Sequence, residues 1–230
     1  MDAPKKQFWD LIKLLNESNV LPHVVLVGSW AEYIYEKSNV LDGYISRMKT
    51  MDVDFLMANI RKPTVQTDLI LALRENGYRI DQSLQGYSII QKDYLEVEFL
   101  VCEKGAGKSE PYVLSNLGGI KATGLRFMDL LVENSMQINT EGLNVKIPTP
   151  AVYAIHKILI NSRRSEKKQG KDIIAVMNVL QYIRKSPEET ARMQNIFNSM
   201  PKSWQKEVLK SIKNNNLSVP LKTLETEHER

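Results

Sequence analysis

The 230-residue sequence contains a single cysteine, Cys102, and only three histidines. One cysteine excludes an internal disulfide bond and a cysteine-based metal cluster, and it is typical of a reducing compartment. No H-E-x-x-H pattern is present, which argues against a histidine-based zinc site. No apolar run approaches the roughly 20 residues that a membrane span needs, and residues 1–6 are not followed by the apolar stretch of a signal peptide. We therefore expect a cytoplasmic protein that does not act at a membrane.

The charge is unevenly spread along the chain. Residues 1–147 hold 16 Lys and Arg against 19 Asp and Glu, whereas residues 148–230 hold 15 against 8, so the net charges are −3 and +7. Pro148 and Pro150 mark the place where strand-like patterns give way to helix-like patterns. We expect an α/β domain over residues 1–147 and a basic helical domain over residues 148–230. The basic half is interpreted either as an anion-binding wall or as a solvated helical surface.

The segment from Thr50 to Met57 is predicted to be a short buried strand that carries two carboxylates. Because successive strand side chains point to opposite faces, Asp52 and Asp54 share one face. Their Cα atoms are roughly 6.6 Å apart, two strand steps of about 3.3 Å each, and this spacing lets both carboxylates approach one divalent cation. The alternative is a strand end whose acids simply face water.

A strand followed at once by a helix precedes this acidic segment. Val24–Val27 is a short apolar run typical of a buried strand, and helical periodicity runs from Trp30 to about Ser38. Between them, Gly28 lets the backbone approach a ligand closely, and Ser29 is expected to be the N-cap of the helix. A helix N-terminus with free N–H groups favours phosphate binding. The alternative is a tight turn with nothing bound.

Residues 94–101 alternate apolar and polar side chains, which predicts a strand with Glu96 and Glu98 on one face. This strand adds a third carboxylate, from either glutamate. Helices are predicted over 5–18 and from Thr67 to Asn76, and loops over 39–49 and 102–118. Short strands are predicted at 78–80 and 87–90, and further strand signals lie in 119–147, notably at 143–147. Beyond Pro150 the periodicity predicts four helices, at 151–163, 171–185, 188–199 and 202–213.

The loop predicted over residues 102–118 contains Gly105-Ala106-Gly107-Lys108-Ser109, which invites comparison with a nucleotide-binding P-loop. That pattern requires a glycine where Cys102 stands and a helix after the lysine, yet Pro111 follows within three residues. We therefore expect a flexible basic loop here, and a P-loop phosphohydrolase is disfavoured.

In order, the sequence carries Gly28-Ser29 after a strand, Asp52-x-Asp54 on a second strand, and a further acid on a later strand. This order resembles the nucleotidyltransferase superfamily, which includes DNA polymerase β and the aminoglycoside nucleotidyltransferases. The run Tyr153-Ala154-Ile155-His156-Lys157, followed by Arg163-Arg164 and Lys171-Asp172, resembles the C-terminal helices of abortive-infection type nucleotidyltransferase toxins and their uncharacterised bacterial relatives. Two departures are a longer segment before Asp52 and a glutamate as the third acid.

The resemblance implies a nucleotidyltransferase fold, with a central mixed sheet followed by a helical C-terminal domain. It implies Mg²⁺ or Mn²⁺ as cofactor and an NTP as substrate, with NMP passing to a hydroxyl of a protein, a tRNA or other RNA, or a small molecule. The position just before the apolar end of its strand favours Glu98 over Glu96 as the third acid. The implied site residues are Asp52, Asp54, Glu98 and Glu96 for the metal and the chemistry, and Gly28, Ser29, Lys157, Lys171 and Asp172 for the nucleotide.

Two alternatives accompany this interpretation. Lys157 and Lys171 are expected to reach the triphosphate from the second domain, with Asp172 holding Lys171 or orienting the acceptor. The alternative for both lysines is that they are ordinary residues of a helix surface. His156 is interpreted as a residue that packs in the interior rather than as a ligand. For the whole chain, the second hypothesis is a catalytically silent binding or regulatory module, within a toxin–antitoxin system.

Overall fold

The computed structural model describes residues 3–46, 50–58 and 65–222 of the chain. The chain divides into two compact units: Met1–Ser38 with Met48–Pro148, and Asn39–Arg47 with Thr149–Arg230. The short segment after Ser38 therefore belongs with the helical unit, whereas the sequence patterns predict one domain over all of residues 1–147. Within that helical unit, the ring of Tyr44 packs edge-on against Tyr182, with the ring centroids 5.2 Å apart.

The first unit contains nine strands and four helices among its described residues. They are, in chain order, α1 Ala3–Glu17, β1 Val24–Val27, α2 Ser29–Lys37, β2 Asp52–Met57, α3 Leu69–Glu75, β3 Arg79–Gln82, β4 Ser88–Lys92, β5 Leu95–Cys102, β6 Tyr112–Leu114, β7 Ile120–Leu125, α4 Met128–Glu133, β8 Ser135–Thr140 and β9 Leu143–Pro148.

Seven of these strands form one mixed sheet, with β1, β2, β5, β4 and β3 in that spatial order. β2 runs parallel to β5 and antiparallel to β1. The other edge of β5 is shared, because its first residues pair with β4 and its last residues, from Leu100, pair with β7. β6 pairs with β7, and β8 and β9 form a separate hairpin. The predicted fold class, a central mixed sheet followed by helices, is confirmed.

The two central strands have one apolar face and one acidic face. Val53, Phe55, Val97 and Phe99 are buried on the apolar face, and the two phenylalanine ring centroids lie 5.8 Å apart. Burying a large apolar side chain contributes roughly 1.5–3 kcal/mol. Because strand side chains alternate, this packing fixes which side chains point to the opposite face.

An aromatic cluster holds α2 against α1. The rings of Phe8 and Trp30 stack with centroids 4.2 Å apart, and Trp9 Nε1 donates a hydrogen bond to the Tyr33 hydroxyl at 3.1 Å. At the other end of α2, the Tyr35 hydroxyl donates to the carbonyl of Pro148 at 2.8 Å. α2 is therefore held firmly behind the turn at its own N-terminus.

Beyond Thr149, the described residues of the second unit form mainly helices, and α5, which spans Pro150–Ile160, lies at their centre. Nearly every side chain of α5 is buried, and the helix packs against the other three. The Glu189 carboxylate accepts a hydrogen bond from the backbone N–H of Ala151, in the first turn of α5, at 2.9 Å. None of the helices in the described ranges is long and apolar enough to cross a membrane. The helices are α5 Pro150–Ile160, α6 Glu166–Ile183, α7 Pro187–Ser199 and α8 Lys202–Asn214.

Three elements differ from the sequence prediction. β6 lies inside the predicted loop 102–118, and it is too short to carry a readable alternation. α4 was not predicted, because its six residues are too few to show a helical periodicity. α6 begins at Glu166 rather than at 171, because its first turn is charged and has no apolar periodicity. The stretch after Lys108 leads into β6 rather than into a helix, as expected for a loop that is not a P-loop.

Candidate active site

Four carboxylates lie on one face of the central strands. The parallel register of β2 and β5 pairs Asp52 with Glu96 and Asp54 with Glu98. Neighbouring strands are roughly 4.8 Å apart, and paired residues of parallel strands point to the same face. The two acidic strands predicted from the sequence are therefore direct neighbours with their acids on the same side.

The two glutamates differ in their surroundings. Glu96 is exposed, and its Oε2 accepts a hydrogen bond from Gln91 Nε2 on β4 at 2.7 Å. Glu98 is half-buried, and its Oε1 accepts a hydrogen bond from the Thr123 hydroxyl on β7 at 2.6 Å. Asp54, beside Glu98, is half-buried as well, whereas Asp52 is exposed. The Asp54–Glu98 pair is therefore the inner pair of the acidic face.

The turn between β1 and α2 accommodates the inner pair. Gly28 has φ +70°, and a Cβ on it would lie closer than 3.0 Å to Asp54 Oδ2, nearer than real Cβ contacts come. The missing side chain thus leaves space for a carboxylate directly at the N-terminus of α2. Gly28 itself is the N-cap, while Ser29 is the first helical residue and no side-chain capping bond is made. The expectation that Ser29 caps the helix is wrong, because the chain already enters helical geometry at that residue.

The acidic face offers hard oxygen donors but no closed cage. Among residues 3–46, 50–58 and 65–222, no group of three His, Cys, Asp or Glu side chains is arranged to hold a metal ion. The sequence led us to expect Asp52, Asp54 and Glu98 to converge on one point, and these side-chain positions do not form such a group. Mg²⁺ is commonly held by one or two carboxylates together with waters and substrate phosphates. Asp52 and Asp54, with the carboxylate of Asp54 in the space left by Gly28, fit that mode of binding.

In the helical unit, Asp172 is the centre of a buried ion-pair network. Asp172 is 3% exposed, and its carboxylate accepts hydrogen bonds from Lys157 Nζ at 2.6 Å and from Arg164 Nε at 3.2 Å. Lys157 Nζ also lies 5.1 Å from the centroid of the Tyr153 ring. The network therefore carries two cations against one anion.

The expectation that Asp172 holds Lys171 is wrong. Lys171 is exposed, whereas Asp172 points inward to Lys157 and Arg164. Adjacent residues of a helix point about 100° apart and do not face each other, so one carboxylate cannot serve both its buried neighbours and Lys171.

His156 lies beside this network and stays uncharged. Burial, followed by the charges of Lys157 and Arg164, lowers the pKa of His156 to about 3. Its Nε2 is buried and has no hydrogen-bond partner among the described residues. An imidazole that is neutral at every physiological pH fits the packing role expected for this residue.

A cavity of about 660 Å³ lies at the opposite ends of the central strands from the outer acids. Cys102 ends β5 and lines the cavity, and burial raises the pKa of its thiol to about 11. Lys104 and Lys108, from the loop predicted over residues 102–118, line the cavity together with Asp129 and Glu133 of α4. The cavity mixes both charge signs and is separate from the carboxylates of β2 and β5, so it does not define the candidate active site.

Sequence reasoning missed two polar side chains. Thr123 gave no signal, because only the pairing of β7 with the second half of β5 brings its hydroxyl to Glu98. Arg164 was noted only as part of an Arg-Arg pair. Its contact with Asp172 depends on a short 3₁₀ turn over Asn161–Arg163 between α5 and α6.

Comparison with known proteins identifies the family to which the chain is similar. A sequence model of the family described as Nucleotidyltransferase matches residues 6–196, which include both acidic strands and the Asp172 network. A search of curated protein sequences finds no match. Among solved structures, the chain is similar to an antigenic nucleotidyltransferase-like protein from Paracoccidioides brasiliensis, at 16% identity and a TM-score of 0.46, covering 90% of this chain and 92% of that one.

Proposed function

The chain belongs to the nucleotidyltransferase family, and from this premise we propose that it transfers NMP from an NTP to a hydroxyl acceptor in a reaction that requires Mg²⁺ or Mn²⁺. The observation that carries the proposal is the placement of the inner pair. Asp54 and Glu98 are adjacent in register, and Asp54 lies at the glycine turn that opens α2. Carboxylates beside a helix N-terminus place cation ligands next to a site suited to phosphate.

In the proposal, the turn at Gly28 and Ser29 binds the triphosphate. Backbone N–H groups at the start of α2 donate to phosphate oxygens, and the helix dipole favours their negative charge. Asp52 and Asp54 would hold the divalent cation. When bound, the cation neutralises charge that develops on the phosphates as pyrophosphate leaves. The protein groups otherwise position the two reactants.

Glu98 accepts the proton of the attacking hydroxyl in this proposal. It is half-buried and held at Oε1 by Thr123, whereas Glu96 is exposed and held by Gln91. A general base works through a fixed position within hydrogen-bond reach of its substrate. The better-fixed glutamate is therefore assigned the role, and Glu96 is left as a residue of the outer surface.

The roles first expected for Lys157, Lys171 and Asp172 are revised accordingly. Asp172 holds Lys157 and Arg164 in place, so it acts within the helical unit rather than on the acceptor. Lys171 is the exposed cation of the three residues. We propose NTP binding for Lys171, with a titration of the Lys171→Ala variant as its test.

The test of the proposed function is transfer of label from α-³²P-NTP. The purified protein is incubated with each of the four NTPs in turn. Each incubation is repeated with one added acceptor: bulk deacylated tRNA, total cell protein or a small-molecule extract. The toxin resemblance is the reason for including tRNA. Transfer produces a labelled acceptor and pyrophosphate, whereas a phosphohydrolase releases the γ-phosphate and a silent binding module does neither.

Matched variants separate the site from general effects. Asp52→Asn is expected to abolish transfer, and any remaining NTP binding should lose its dependence on Mg²⁺. Asp81→Asn is the control, because Asp81 is an exposed acid of the same sheet that pairs with Arg79 on its own strand. Equal transfer by both variants and the wild type would remove the Asp52 carboxylate from the reaction. No transfer by the wild type with any NTP and acceptor would favour the silent module.

A further inference from the structure

Glu98 is held by a side chain that does not belong to the acidic strands. The Thr123 hydroxyl donates to Glu98 Oε1 at 2.6 Å. A bond of this length between a hydroxyl and a carboxylate oxygen falls in the range of charge-assisted hydrogen bonds, which are roughly twice as strong as neutral ones. Within the described part of the chain, it is shorter than the 2.7 Å hydrogen bond from Gln91 to Glu96.

The sheet topology explains why Thr123 is available. β5 pairs with β4 as far as Val97 and with β7 from Leu100, so Glu98 lies where one partner strand gives way to the other. Thr123 pairs with Leu100, two residues beyond Glu98. Residues two apart on a strand share a face, so the Thr123 hydroxyl and the Glu98 carboxylate lie on the same side of the sheet.

We propose that Thr123 is a positioning residue for the transfer reaction, holding one oxygen of Glu98 so that the other is presented to the acceptor hydroxyl. This inference rests on the proposed function. The hydroxyl occupies Oε1 and limits rotation of a carboxylate that is otherwise on a flexible side chain. Fixing the base in advance contributes to the rate through orientation rather than through binding of the NTP.

The test compares Thr123→Val, Thr123→Ala and Thr123→Ser with the wild type, using the NTP and acceptor that the wild type uses. Valine keeps the shape of threonine and favours strands, so the variant is expected to fold. We expect kcat to fall by about 10- to 100-fold in the Val and Ala variants, the scale of one charge-assisted hydrogen bond. KM for the NTP should change little. The Ser variant keeps the hydroxyl and should recover most of the wild-type kcat.

Two further measurements separate positioning from stability. Thr190→Val removes a hydroxyl that donates to the Ile183 carbonyl at 3.0 Å in the helical unit, and it should leave kcat unchanged. In a double-mutant cycle with Glu98→Ala, adding Thr123→Val should cause no additional loss of kcat. The same cycle, read from chemical denaturation, should show less than additive loss of stability, because the two side chains share one hydrogen bond.

Each outcome decides between the proposals. A wild-type enzyme that transfers NMP and a Thr123→Val variant with the same kcat would overturn the role of Thr123 alone. Losses that Thr123→Ser does not reverse, or that add fully to those of Glu98→Ala, would overturn it as well. A wild-type protein that transfers nothing would overturn the proposed function, and the role of Thr123 with it.

Discussion

Replacing Gly28 by alanine tests whether the glycine turn is built around Asp54. Gly28 has φ +70° and ψ −155°, a combination that L-residues rarely adopt. A Cβ there would also overlap Asp54 Oδ2, and its distance to Asp54 Cγ would be 3.5 Å. The substitution therefore has two separable costs, one in the backbone and one at the carboxylate.

A positive φ is shared with other glycines, and this allows a control for that part of the backbone cost. Holding a residue with a side chain in such a conformation costs about 1–3 kcal/mol. Gly142, in the turn between β8 and β9, has φ +74°, and a Cβ there would have nothing within 4 Å. Gly142→Ala should therefore lose about 1–2 kcal/mol of unfolding free energy from the positive φ alone. Gly28→Ala should lose more, because Asp54 must also move.

The rate of NMP transfer from α-labelled NTP distinguishes the two variants more sharply than their stability does. A displacement of about 1 Å at a reacting group can cost on the order of 100-fold in rate. We expect Gly28→Ala to lose at least that much, and Gly142→Ala to keep the wild-type rate at a temperature where both are folded. A Gly28→Ala protein that transfers at the wild-type rate would refute the argument that this turn positions Asp54.

Three further predictions concern the helical unit. Asp172→Asn leaves Lys157 without its buried partner and should lower the free energy of unfolding in urea by about 3–5 kcal/mol, whereas Glu188→Gln, at an exposed pair, should cost less than about 1 kcal/mol. His156 has its pKa lowered to about 3, so the unfolded chain takes up a proton below about pH 6.5 and the folded one does not. Because of this residue, the free energy of unfolding should decrease by about 1.4 kcal/mol for each unit by which the pH is lowered from 6 to 4. The His156→Gln variant should lose this dependence on pH, and the His23→Gln control should retain it. Lys171→Ala should weaken NTP binding by roughly 10-fold or more in a titration without unfolding the protein, and wild-type affinity would return Lys171 to the solvated surface.

Much of the fold follows from local patterns in the sequence. The apolar run Val24–Val27 is β1 with the predicted bounds, and the alternation in residues 94–101 is realised in β5. The side-chain period of a strand also placed Asp52 and Asp54 on one face before any pairing was known. These features were predictable because each depends on residues adjacent in the sequence, and each is reinforced by a buried apolar face.

Contacts set by pairing between distant strands were not predictable in the same way. Whether Glu96 or Glu98 belongs to the inner pair depends on which residue of β2 each one meets, and a shift of one residue would turn the acids to the other face. In the helical unit, the sequence placed Lys171 and Asp172 together as a functional pair. The structure separates them, because a helix turns adjacent residues to different faces and Asp172 points to Lys157.

The division of β5 between two partner strands accounts for the asymmetry of the acidic face. Along its first half, β5 borders β4, whose Gln91 offers an amide to the exposed Glu96. Along its second half it borders β7, whose Thr123 offers a hydroxyl to the half-buried Glu98. Two chemically identical side chains, two residues apart, are therefore held by different groups at different depths. The deeper one is also the neighbour of Asp54 at the glycine turn, so topology, rather than residue type, determines which glutamate lies beside the turn where we propose that the triphosphate binds.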